Sequence, residues 1–232
     1  MRKAFKVFCC LAVLVIVQGA QADGIGTVTP TQVTGELGRV GDGITPATMW
    51  YDNSTTDFGD GRTYYFPPGD AIVPVELGDD VPFSGTQHVS TLVFAYGTSH
   101  IGDDIECILN FYGGLAADDG PDTGSATASL DVTGLPGSPD GSAVGWIVTL
   151  DLVGASVDFD WTASTSSSGI NENWLTFTYM TTGTGPILAT GGGSQDVFWS
   201  SKDLGTGMSG SFFYFFGGPP APEGSFYIQI SD

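Results

Sequence analysis

The run Val144-Gly145-Trp146-Ile147-Val148-Thr149-Leu150-Asp151-Leu152 decides the fold class. Trp146, Val148, Leu150 and Leu152 fall on one side of an extended chain, and Thr149 and Asp151 on the other. Successive side chains of a strand point to opposite faces, so this alternation describes a strand in an antiparallel sheet with one face buried and one wet. Similar runs recur at Ala47–Tyr51, Arg62–Phe66, Ala71–Leu77, His88–Tyr96, Ile105–Tyr112 and Ala126–Val132. They continue at Val157–Trp161, Trp174–Met180, Asp196–Ser200, Ser211–Phe216 and Ser225–Ile230. The breaks between them are turn chemistry, as in Asp57-Phe58-Gly59-Asp60-Gly61, Pro67-Pro68-Gly69-Asp70 and Pro136-Gly137-Ser138-Pro139-Asp140-Gly141. No stretch of the body carries a convincing helical period, and no strand–helix alternation occurs. The pattern predicts an all-β fold, an antiparallel β-sandwich or jelly roll.

The N-terminus reads differently. Arg2, Lys3 and Lys6 precede the apolar run Val7–Val17, and Ala20-Gln21-Ala22 forms a small-x-small cleavage site before Asp23. That is the pattern of a secretory signal peptide over residues 1–22, shorter than the roughly 20 apolar residues a spanning helix needs. Residues 23–45 form a Gly- and Thr-rich leader with a weak strand at Ile25–Thr29, expected as an edge strand, and residues 46–232 form one sandwich domain. The protein is expected to be secreted, with no membrane span once the signal is removed. Only Cys107 would then remain, so stability rests on the core without an internal disulfide. Its neighbours Ile105, Leu109 and Phe111 mark it as a core residue.

The full chain has 232 residues and a formal net charge of −20. After signal removal the cations are Arg39, Arg62 and Lys202 against 26 acids, a net charge of −23. A nucleic-acid partner is excluded by that balance, because phosphates require facing cations. Carboxylates crowd several turns: Asp57 and Asp60, then Asp118, Asp119 and Asp122. Calcium binds six to eight oxygens, and acidic turns supply them, so these five residues are the candidate calcium ligands and calcium is the one candidate cofactor.

Aromatic residues are the second candidate feature. Trp146 and Trp161 alternate in phase with core residues. Trp50 and Trp199 stand near strand ends, and Trp174 is out of phase with Leu175, Phe177 and Tyr179. These three are the candidate platforms for sugar rings. Catalytic signatures are thin: neither His88 nor His100 belongs to a metal-spaced pair, and no nucleophile elbow, phosphate loop or dinucleotide fingerprint occurs. Asp158 and Asp160 would stand about 7 Å apart on one strand face, within range for glycoside hydrolysis.

From Trp50 onward the order of motifs resembles a group of exported bacterial all-β proteins, many of which carry a PEP-CTERM sorting tail. The matching residues are Tyr51-Asp52-Asn53, Gly78-Asp79-Asp80-Val81, Val89-Ser90-Thr91-Leu92-Val93-Phe94-Ala95-Tyr96 and Ile108-Leu109-Asn110-Phe111-Tyr112. The Trp146 strand, Asp196-Val197-Phe198-Trp199 and Gly224-Ser225-Phe226-Tyr227-Ile228-Gln229-Ile230 follow in order. The resemblance implies export and an all-β extracellular domain. The Pro-Glu-Pro tail itself does not appear, since Pro220-Ala221-Pro222-Glu223 leads into a strand-like run.

The expected function is a non-catalytic structural or binding role at the cell exterior, in matrix or surface layer. The alternative is a carbohydrate-binding module stabilised by calcium, with polysaccharide as partner. A third reading is a glycan hydrolase or lyase. Self-association through an edge near Phe212–Phe216 is the fourth.

Overall fold

The computed structural model describes residues 48–56, 63–68, 74–113, 120–124, 126–164, 173–189, 199–202 and 225–232, together with the strand paths at 15–17, 28–33, 197–198 and 210–213. The first strands are β1 (Val15–Val17), β2 (Val28–Val33), β3 (Met49–Asn53), β4 (Val75–Asp80), β5 (Thr86–Val89) and β6 (Thr91–Thr98). Next come β7 (Ile105–Gly113), β8 (Ala126–Leu135), β9 (Val144–Asp151), β10 (Phe159–Thr162) and β11 (Asn173–Tyr179). The last are β12 (Thr184–Pro186), β13 (Leu188–Ala189), β14 (Val197–Ser200), β15 (Gly210–Phe213), β16 (Ser225–Phe226) and β17 (Ile228–Ser231).

Two sheets carry the fold. One has seven strands in the order β1-β8-β7-β11-β4-β14-β15, and the other runs β2-β9-β6-β17-β3, with β12 also paired to β6. Every strand pairing is antiparallel. The central residues of the expected export segment, Val15–Val17, lie against β8, and the leader supplies β2 at the edge beside β9.

Alternation in the sequence becomes the core between the sheets. Leu77, Leu109, Phe111, Leu130, Leu175 and Phe177 face inward from the seven-stranded sheet. Leu92, Phe94, Tyr96, Val148, Leu150, Ile228 and Ile230 meet them from the other sheet. Ring contacts across the gap, Phe94 with Phe177 at 5.8 Å and Tyr96 with Tyr179 at 6.0 Å, show two sheets packed face to face. Cys107 lies in this layer, fully buried and free, and burial pushes its thiol well up. The two-stranded ribbon β10–β5 closes one end with an aromatic cluster of Trp50, Phe83, Phe111, Phe159 and Trp161.

The structure departs from the sequence reading at three places. The run His88–Tyr96 is two strands, not one. Ser90 interrupts it by donating its N–H to Ser231 O and accepting from Leu152 N, so β5 joins the ribbon while β6 joins the sheet. The short strands at 184–189 escape a pattern-based reading because Gly185 and Pro186 break the apolar alternation. The single wet face also fails along β6, where both sides are buried. Tyr65, Ile187 and Tyr227 cover Val93, Ala95 and Ile147 on the outside.

Tyr65 reaches that position because Gly97 has no side chain; a Cβ there would collide with the Tyr65 ring. Gly97→Ala should therefore lower stability by about 1–3 kcal/mol through overpacking. Chemical denaturation would check this, with Gly85→Ala as a contrast at a site of open space and positive φ.

Candidate functional site

The outward positions of β8, β7, β11 and β4 place Ser129, Asn110, Thr176 and Glu76 in adjoining strands. Their polar groups form one array. Glu76 Oε1 accepts hydrogen bonds from Thr176 Oγ1 at 2.6 Å, Tyr112 OH at 2.8 Å and Asn110 Nδ2 at 3.0 Å. Ser129 Oγ donates to Asn110 Oδ1 at 2.6 Å, which orients the amide. Three donors on one oxygen hold the carboxylate in a single orientation. Tyr112 is itself buried, and burial together with the Glu76 charge pushes its phenol upward.

An aromatic wall closes one end of the array. Trp174, Trp199 and Tyr112 form a separate cluster on the outside of the sheet. Gly78 makes room for it: a Cβ there would stand 3.0 Å from Thr176 Cγ2, 3.3 Å from Trp174 Cε3 and 3.5 Å from Trp199 Cε3. Gly120 sits against the pyrrole edge of Trp199, where any Cβ would collide.

This geometry corrects the reading of Trp174 and Trp199 as flat platforms. Trp174 does lie on the side of the sheet away from the main core, but it is only 3% exposed, and Trp199 is 6% exposed. Trp50 is half-buried; its Nε1 donates to His88 O at 3.0 Å, and its ring meets Phe83 edge-on. Neither Trp174 nor Trp199 offers an open ring face. Trp161 is a core residue, and Trp146 packs partly buried against the same core.

Of the acidic turns, Asp57, Asp60, Asp118 and Asp119 lie outside the described residues. Asp122 is exposed, and its Oδ1 accepts the Gly124 N–H at 3.2 Å, the geometry of a local turn. Among the described residues, no three His, Cys, Asp or Glu side chains converge to hold a metal ion.

Asp158 and Asp160 do share a neighbourhood, and His88 stands between them. Its Nδ1 lies 2.9 Å from Asp160 Oδ1, directly across the ribbon, and its Nε2 lies 3.3 Å from Asp158 Oδ2. His100 Nε2 pairs with Asp104 at 2.8 Å. The sequence separations of 70 and 72 residues hid the His88 cluster. The Glu76 array was equally hidden, although its parts are the polar members of alternating runs such as Leu109-Asn110-Phe111 and Leu175-Thr176-Phe177. Comparison with protein-family models, curated proteins and solved structures returned no match.

The hydrogen bond to Asp160 raises the His88 imidazole above its ordinary 6.5; desolvation opposes this, and the charges of Asp158, Asp160 and Asp232 add to it. A base whose pKa is higher folded than unfolded stabilises fully below the unfolded value and loses that contribution as pH rises through the folded one. The denaturation midpoint should therefore fall as pH rises above 6.5, with a shallower dependence in His88→Gln. Titration of the His88 ring by NMR should show an apparent pKa above 6.5.

Proposed function

We propose that this protein is a secreted, acidic β-sandwich with a non-catalytic binding or structural role at the cell exterior. The observation that carries this reading is the Glu76 array, a set of fixed hydrogen-bonding groups on the outside of a rigid sheet. Its carboxylate is used as an oriented acceptor. The pair that spacing suggested for hydrolysis, Asp158 and Asp160, is bridged by an imidazole on a half-exposed ribbon. The N-terminal basic, apolar and small-residue pattern supports export, and the family resemblance points the same way. The charge excess supports solubility and keeps polyanions away.

Carbohydrate is the favoured ligand class within this reading, because amide, hydroxyl and carboxylate groups together match sugar hydroxyls. The buried tryptophans take no part as stacking platforms. Expression of the full chain with a working export pathway should yield a protein beginning at Asp23, read by N-terminal sequencing. Incubation of that protein with polysaccharides should release no reducing ends; release would overturn the non-catalytic reading. A melting temperature that rises with millimolar calcium, but not with magnesium, would add the acidic turns at Asp57, Asp60, Asp118, Asp119 and Asp122 to the binding role. A ligand at a hundred times its Kd stabilises by about 2.7 kcal/mol.

A further inference from the structure

We infer that His88 Nε2 and Asp158 Oδ2, on the solvent side of the ribbon β10–β5, are two ligands of a zinc-like divalent transition-metal ion, with water in its remaining positions and Asp160 orienting the imidazole from behind. The site is separate from the Glu76 array and does not depend on the role assigned to that array.

The ribbon holds these groups on anchored strands. Its register sets His88 directly opposite Asp160. Phe159 and Trp161 turn inward and meet Phe111 with ring centroids at 4.8 and 5.1 Å. Alternation therefore turns Asp158 and Asp160 outward. Trp50 Nε1 donates to the carbonyl of His88 at 3.0 Å, which fixes the backbone beneath the imidazole. The side chains of His88 and Asp158 are 35% and 36% exposed, so an ion reaches them without any strand opening.

The two contacts of the imidazole differ in kind. Nδ1 stands 2.9 Å from Asp160 Oδ1, the length of a charge-assisted hydrogen bond. An ionised carboxylate only accepts, so Nδ1 carries the proton and donates it. In the neutral ring Nε2 then presents a lone pair. It faces Asp158 Oδ2 at 3.3 Å, longer than the 2.9 Å of the other contact. Two lone-pair groups face one another there, and a cation between them satisfies both. Tetrahedral zinc, with bonds of about 2.0–2.2 Å to nitrogen and oxygen, sets its ligands about 3.3–3.5 Å apart. The observed separation is that of two ligands on one ion. The carboxylate on the far nitrogen is the usual support of a metal-binding histidine, fixing its tautomer and raising its basicity. Among the described residues no three His, Cys, Asp or Glu converge on one ion, so water completes the coordination.

Ligand type selects the metal. Calcium and magnesium take oxygen ligands, whereas imidazole suits zinc, copper and nickel. The charges of Asp158, Asp160 and Asp232 all act on this ring, and together they draw a dication to it. His100, the other histidine of the chain, is an internal contrast. Its Nε2 lies 2.8 Å from Asp104 Oδ1, at hydrogen-bond length, so that nitrogen is already engaged.

The test is a calorimetric zinc titration of the exported protein, without added affinity histidines, at mildly alkaline pH and in millimolar magnesium to occupy the acidic turns. One saturable zinc site per molecule should appear. Asp158→Ala should weaken it at least about tenfold, and Asp160→Asn by about tenfold as the imidazole loses its support. His88→Gln should abolish it, and His100→Gln should leave it unchanged. In NMR spectra of the unsubstituted protein, substoichiometric nickel should broaden the His88 ring signals before those of His100. Thermal melting checks that each variant is folded; if one is not, the nickel experiment decides. Equal zinc affinity in folded Asp158→Ala, equal broadening of both rings, or no saturable binding in magnesium would overturn the site, the first two marking adventitious imidazole binding only.

Discussion

Asp79 places a carboxylate in the apolar layer between the two sheets, and the arrangement around it depends on how that group is satisfied. Its Oδ2 accepts the backbone N–H of Phe226 at 2.8 Å. The carbonyl of Phe226 accepts from Asn53 Nδ2, which also bonds Ser225 Oγ. Tyr51 OH reaches the carbonyl of Asp80. Burying such groups unpaired would cost several kcal/mol, so an arrangement that brings these donors and acceptors together is favoured. Three motifs far apart in the chain, Tyr51-Asp52-Asn53, Gly78-Asp79-Asp80 and Ser225-Phe226-Tyr227, thus meet in one buried junction. In a fold without a described disulfide, that junction ties the last strands to both sheets.

The outer face follows from the same constraint. With Asp79 and Leu77 turned inward, the pleat of β4 sends Glu76 and Gly78 outward. Glu76 then reaches across to β11 and β7, where Thr176, Asn110 and Tyr112 donate to it. Gly78 leaves the space in which Trp174 and Trp199 pack. A shift of one residue in β4 would expose the buried carboxylate and bury Glu76 without donors. The junction that holds the sheets together and the array on the far side of β4 are two consequences of one register.

The acidic balance shapes the surface in a related way. Both histidines of the chain are paired with aspartates, His88 with two of them and His100 with one. In a protein with 26 acids and six Lys or Arg residues, cationic partners are scarce, and both imidazoles stand within 3.3 Å of aspartate oxygens. The ribbon β10–β5 therefore carries a group, His88, whose charge responds to pH near neutrality.

Strand content, sheet type and the identity of the core were legible in the sequence, because strand period and turn chemistry are local properties. Trp161, Cys107 and the alternating members of the Val144–Leu152 run pack as their phase indicates. The phase of Trp174 correctly set it apart from Leu175 and Phe177, but phase says nothing about what lies above a sheet. Tertiary structure alone decided that Trp199 and Gly120 cover that region, that Ser90 splits one apolar run between two sheets, and that Glu76 meets partners 34 to 100 residues away. Alternation depends on a residue and its neighbours at two positions' distance. Which strands lie side by side is set by burying one apolar face against another and by pairing most of the buried polar groups, and both conditions involve the whole chain at once.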